Sequence, residues 1–198
     1  MTFPENPAPL GLPSFHTRHW DELFTTLADA GLPLCLHFGS SSHLPGFTEE
    51  APFAVQISLM ATNLMWTTSD LLFSGLLQRH PNLKVVLAEG GIGWVPYVLE
   101  RCDYTWERHR WYQDIDRTTR PSDLFRRHFY GCFIDDEHGV RNRHVIGIDN
   151  ITFEVDYPHS DSNWPNTRKR AAEVFRDVPD EEVHKIVELN VRELFDFR

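Results

Sequence analysis

Residues 84–96 read Lys84-Val85-Val86-Leu87-Ala88-Glu89-Gly90-Gly91-Ile92-Gly93-Trp94-Val95-Pro96. The run from Val85 to Ala88 is apolar on both alternating faces, which is how a strand buried on both sides of a parallel sheet reads. Gly90 and Gly91 end it, and a helix follows with Trp94, Val95, Val98, Leu99, Cys102 and Trp106 on one face. Glu100, Arg101, Asp103, Glu107 and Arg108 fall mostly on the other face. A buried strand, a glycine turn and an amphipathic helix make one β-α unit, and the same outline recurs on either side of it.

Upstream, Trp20, Leu23, Phe24 and Leu27 recur at helical spacing until Gly31, and Leu32 to Phe38 is a second apolar run ending in Gly39-Ser40-Ser41-Ser42. Residues 51–79 are helical in pattern, and Pro81-Asn82 makes the turn into Lys84. Downstream, Phe129 to Ile134 and Ile151 to Asp156 are the remaining strand candidates. Pro179, followed by Asp180, Glu181 and Glu182, opens a last helix with Val183, Ile186, Val187, Val191, Leu194 and Phe195 as its buried stripe. Helices alternating with four apolar strands predict an α/β protein with a parallel sheet. Residues 1–19, with Pro4, Pro7, Pro9 and Pro13, read as an extended leader, and residues 20–198 as one domain.

The chain has 198 residues, and 19 Lys plus Arg against 29 Asp plus Glu give a formal net charge of −10. Such a surface repels phosphate backbones and anionic headgroups, so neither nucleic acid nor a membrane is an expected partner. A hydrophobic fraction of 41% is enough for a core. Cys35, Cys102 and Cys132 are odd in number and without a CxxC pair, which predicts neither disulfides nor a cysteine-based zinc module. With no signal-like amino terminus and no long apolar run, a soluble, cytoplasmic protein is expected.

Three strand candidates end in an ionisable residue just before turn residues: His37, Glu89 and Asp156. Ligands bind at the carboxyl edge of α/β sheets because the loops there diverge. Each residue also has a plain structural reading: a core histidine bonded to a carbonyl, a carboxylate paired with a loop arginine, and a turn-forming aspartate. Their coincidence points to a cation, because carboxylates gathered beside glycines are costly without one, and imidazole with carboxylate oxygen is a zinc or manganese ligand set. The loop His159 to Asn166, including Trp164, follows the fourth strand and is placed for substrate contact or as a solvated cap of the next helix. Gly91-x-Gly93 approaches a dinucleotide fingerprint, but Pro96 stands where its third glycine belongs. Neither a phosphate-binding GxxxxGK[ST] loop nor a GxSxG elbow occurs, so Ser40, Ser41 and Ser42 read as a polar loop.

Phe153-Glu154-Val155-Asp156-Tyr157-Pro158-His159-Ser160 resembles the strand-8 motif of the amidohydrolase-related proteins, in the branch that includes aminocarboxymuconate semialdehyde and resorcylate type decarboxylases. Leu36-His37-Phe38-Gly39 is similar to their strand 5, Ala88 to Pro96 to their strand 6 region, and Tyr130 to Asp136 to their strand 7. Asn190 to Phe195 is similar to their terminal helix. The resemblance implies a partial (β/α)8 barrel, strands 5 to 8 with their helices, from a metal-dependent hydrolase or nonoxidative decarboxylase of small carboxylate or carbonyl compounds. It implies zinc or manganese, with His37 and Asp156 as ligands and Asp156 also as base or proton relay. Glu89 takes a position where decarboxylating members often carry a histidine, and His159, Trp164 and Trp94 are expected at the substrate. The family's strand-1 H-x-H or E-x-H pair has no counterpart, since no two histidines here are separated by one residue. A chain inactive by itself is therefore expected, self-associating or paired with a partner that carries strands 1 to 4.

Overall fold

The computed structural model describes residues 1–42 and 48–197; the domain expected to end at 198 runs one residue past them. In chain order the elements are β1 (Thr2–Pro4), α1 (Asp21–Asp29), β2 (Leu34–His37), α2 (Phe53–Leu59), α3 (Thr62–Phe73), α4 (Leu76–Arg79) and β3 (Val85–Ala88). There follow α5 (Val95–His109), α6 (Pro121–His128), β4 (Phe129–Phe133), α7 (Glu137–Arg141), α8 (Arg143–Ile146) and β5 (Ile151–Phe153). The last elements are α9 (Thr167–Val174), α10 (Asp180–His184) and α11 (Asn190–Phe195), the final two joined by a π-helical turn at Lys185–Leu189. No helix among the described residues is long and apolar enough to cross a membrane.

All strand pairs are parallel and their order across the sheet is their order in the chain, β1 to β5. A sequential order with crossovers of one hand keeps every connecting helix on the same side of the sheet, which gives a segment of a (β/α)8 barrel. A doubly wound sheet needs a reversal of order that is absent here. Alternate strand residues divide accordingly. Leu34, Leu36, Val85, Leu87, Phe129, Phe133 and Ile151 join the large core beneath the helices, whereas Val86 and Cys132 form a second cluster with Leu194, against which Cys35 and Tyr130 pack. The terminal helix is tied to β5 by Asn190, whose amide donates to Ile148 O and Ile151 O, both at 2.7 Å.

Two expectations are corrected. The Pro-rich stretch read as a leader is part of the fold: Thr2–Pro4 is a fifth strand paired with Cys35–His37, and Phe3 and Phe15 are buried at 7% and 1% exposure. The reason is aromatic packing, since Phe3 meets Trp20 edge-on at 5.0 Å and Phe24 at 5.9 Å. The segment 51–79 is helical as expected, divided into α2, α3 and α4, and Gly75 at φ 71 makes the break between α3 and α4. The strand expected over Ile151 to Asp156 ends at Phe153, leaving Glu154, Val155 and Asp156 in the loop that follows it.

Candidate functional site

Every strand delivers an ionisable side chain to the carboxyl edge. Glu5, just past β1, is fully buried; its carboxylate accepts from Ser40 Oγ at 2.5 Å, from Ser41 N at 2.7 Å and from Ser41 Oγ. The serine run is thus the polar loop expected of it, pinned by a carboxylate that sequence reasoning missed inside the supposed leader. His37 ends β2, and its Nδ1 lies 2.7 Å from Phe38 O, which fixes that nitrogen as the donor and leaves Nε2 facing Glu89 Oε1 at 2.9 Å. The carbonyl bond of the structural reading is present, but the ring is about 40% exposed rather than in the core. Burial alone would lower its pKa, but the Phe38 carbonyl and the Glu89 carboxylate outweigh burial and raise it.

Glu89 and Asp156 share an unusual backbone state, with φ of 57° and 55°. Non-glycine residues held there cost about 1 kcal/mol or more, and such strain collects where a side chain must be aimed. The strain aims both carboxylates inward. Together with His159 they place one ligand atom each within 4.8 Å of one another. Asp156 Oδ2 is buried, and the one partner it meets among the described residues is His159 Nδ1, at 2.8 Å. Two carboxylates gathered this closely repel each other, and a cation held between them and the imidazole would relieve that cost. The chemistry of the donor set, two carboxylates with one imidazole, fits zinc or manganese.

Glu154 is the second residue the sequence reading passed over, although a glutamate inside Ile151-Thr152-Phe153-Glu154-Val155 is signal enough. It accepts from Glu89 N at 2.8 Å. Burial first, then the neighbouring Glu89 and Asp156 charges, push its pKa up to about 7, against the opposing effects of the Glu89 N–H and of His37. An acid whose pKa is raised on folding destabilises the fold once it must ionise. Its protonated form is fully accommodated below about pH 4.5, and stability falls as pH rises from there to about 7. In chelator-treated protein, Glu154→Gln is expected to remove that loss, which amounts to at most about 3 kcal/mol. Urea melts at pH 5 and pH 8 check this: a wild-type difference that persists in the variant would sink the assignment.

These groups open onto a cleft of about 460 Å³. Phe38, Phe53, Ile57 and Met60 form an apolar wall, facing Glu89, Asp135, His159, Asp161 and Asn163. Among the described lining residues there is no Lys or Arg, so an anionic ligand has only a histidine or a bound cation to meet it. Trp94 is turned away: its indole N–H donates to Gly90 O at 2.8 Å and its ring packs on the core. Trp164 is exposed and rests on Tyr157 at 5.2 Å, also off the cleft lining. The dinucleotide reading of Gly91-x-Gly93 fails, because Asp136 already accepts the Ile92 and Gly93 N–H groups at 2.8 and 2.6 Å. A Cβ at Gly93 would lie 2.8 Å from Asp136 Oδ1, so the glycine serves that contact.

Comparison with known proteins agrees with this architecture. An amidohydrolase from Mycobacterium avium subsp. paratuberculosis K-10 superposes with a TM-score of 0.82 at 23% identity, over 98% of this chain and 50% of that one. The 5-carboxyvanillate decarboxylase LigW from Sphingomonas paucimobilis gives 0.72 at 19%, over 93% and 55%. A dihydroxybenzoic acid decarboxylase from Polaromonas sp. JS666, solved with bound manganese and 2-nitroresorcinol, gives 0.67 at 20%, over 92% and 55%. The chain thus spans about half the length of the structures it resembles, as a partial barrel. A search of curated proteins finds no match. The sequence profile described as Amidohydrolase covers residues 5–197, and the chain belongs to the amidohydrolase family.

Proposed function

We propose that this chain carries the carboxyl-terminal part of a divalent-metal site that hydrolyses or decarboxylates a small carboxylate or carbonyl compound. The observation that carries the reading is the convergence of one ligand atom each from Glu89, Asp156 and His159 within 4.8 Å. Glu89, Asp156 and His159 would hold zinc or manganese, with His37 presenting Nε2 beside Glu89. Such an ion, when bound, activates water or polarises a substrate oxygen. The protein's own groups do the rest. The Phe38 carbonyl holds the His37 tautomer, Glu154, with its pKa pushed up to about 7, would keep a proton beside Glu89, and Asp156 would relay one. The apolar wall of Phe53 and Ile57 suits the body of an aromatic or enoic acid, whose carboxylate would turn toward the cation.

A second reading, a noncatalytic half-barrel associated with a chain carrying strands 1 to 4, is favoured by the sheet order, which leaves β1 and β5 each unpaired along one side among the described residues. One experiment separates the two. Manganese- or zinc-loaded chain is assayed on aromatic and enoic acids, alone and mixed with a separately expressed half-barrel bearing an H-x-H strand. The expected result is little turnover alone and at least about a 100-fold rise on mixing. Turnover by the chain alone at the mixed rate would remove the need for a complement, and none in either case would favour the noncatalytic reading.

A further inference from the structure

Glu5 is 0% exposed, and among the described residues no Lys, Arg or His meets its carboxylate. Burying such a group is costly unless several donors converge on it. Three do, and all of them come from Ser40 and Ser41: the Ser40 hydroxyl at 2.5 Å, the Ser41 N–H at 2.7 Å and the Ser41 hydroxyl. The contact runs both ways, since the Glu5 N–H donates to Ser40 Oγ at 3.1 Å.

This clamp holds the turn that carries two parts of the site. Pro4 is level with His37 in the β1–β2 register, which brings Glu5 beside the residues that follow β2. There Ser40 N donates to His37 O at 3.3 Å, and Ser40 Oγ lies 2.7 Å from the same carbonyl. A second anchor comes from α3, where Asn63 Oδ1 accepts the N–H of Gly39 at 2.9 Å, with Gly39 at φ 72. Phe38 sits between these anchors. Its carbonyl faces His37 Nδ1 at 2.7 Å, and its ring lines the cleft. A turn released at Ser40 and Ser41 would leave that carbonyl free to rotate, and the imidazole with it.

We propose that Glu5 is a positioning residue of the site: through Ser40 and Ser41 it fixes the turn that sets the Phe38 carbonyl against His37 Nδ1, and so aims His37 Nε2 at Glu89. The importance of that aim for chemistry rests on the metal site proposed above, whereas the hold of Glu5 on His37 does not. A carboxylate that served only to anchor β1 would change overall stability and leave the imidazole unaffected.

Long-range nitrogen–proton correlation spectra of the metal-free full chain test this, because they distinguish Nδ1 from Nε2. The His37 signals are those missing in His37→Gln. The wild type is expected to carry a proton on His37 Nδ1 that exchanges slowly with solvent. In Glu5→Gln, which turns one acceptor oxygen into an NH2 group facing donors, that proton should exchange at least about tenfold faster. Ser40→Ala, which leaves Glu5 in place and cuts one of its ties to the turn, should give at least about a threefold rise. Wild type in enough urea to match the overall stability of each variant should keep its slow exchange, since native-state opening at the turn is local.

Unchanged exchange in the folded variants, or a rise that the urea-matched wild type reproduces, would show that Glu5 serves only the fold and overturn the proposal. If Glu5→Gln does not fold, Ser40→Ala decides by the same reading. All of these measurements are made without metal, so failure of the proposed metal site would leave their outcome unchanged.

Discussion

Asp156→Asn is expected to weaken divalent metal binding by at least about 100-fold while leaving the fold intact. Losing an outer partner of a metal ligand costs about 10- to 100-fold in affinity, and losing a ligand itself costs no less. The asparagine keeps the side chain's shape and, after glycine, is among the residues that best tolerate the backbone φ of 55° found at this position. The substitution therefore removes charge with little added strain, and a stability change above about 1 kcal/mol is not expected. Isothermal titration with manganese or zinc, alongside urea unfolding, reads both quantities. An unchanged affinity would move the site away from Asp156. A collapse in stability together with affinity would mean that the carboxylate serves the fold rather than a ligand.

Asp136→Ala has the largest effect expected on stability, about 3 kcal/mol. The Asp136 carboxylate accepts three backbone N–H groups, from Ile92, Gly93 and Gly139, at 2.6 to 2.8 Å. It caps α7 and at the same time clamps the turn between β3 and α5. Removing it leaves three partly buried donors without an acceptor, at roughly 1 kcal/mol each. For a chain of this size that corresponds to a fall of roughly 10 °C in melting temperature. Because the clamped turn begins at Glu89, the variant should also lose metal affinity, although Asp136 touches no ligand atom. Asp136→Asn, which keeps one acceptor oxygen, should fall between the two. A loss below about 1 kcal/mol in Asp136→Ala would show that water replaces the clamp.

The fold was legible where hydrophobic pattern decides it. Val85 to Ala88 is a strand whose first three residues are buried on both faces, and Leu34 and Leu36 bury one face of β2 while Cys35 and His37 stay half-buried. The amino terminus was not legible, because Thr2–Pro4 is too short for a periodic signal and four prolines mask it. Its membership comes from Phe3, whose contacts with Trp20 and Phe24 are tertiary. Proline at the end of an edge strand costs nothing, since the N–H it lacks has no strand beside it to meet.

Within the site, His37, Glu89 and Asp156 stood out as ionisable residues closing apolar runs, and the structure gathers Glu89 and Asp156 with His159 while joining His37 through Glu89. Trp94 and Trp164 did not follow, because aromatic type says nothing about direction. One is fixed by the Gly90 carbonyl, the other by Tyr157. Glu5 and Glu154 were missed for the opposite reason: each sits in a stretch already assigned a structural role, and their partners, Ser40 and Glu89, lie far away in sequence.

The most direct test of the metal site is anomalous diffraction from crystals of this chain soaked in manganese, recorded against metal-free crystals. The account predicts one strong anomalous peak bounded by the Glu89 and Asp156 carboxylates and the His159 imidazole. A peak coordinated elsewhere, or none at manganese concentrations that saturate the protein in solution, would contradict it.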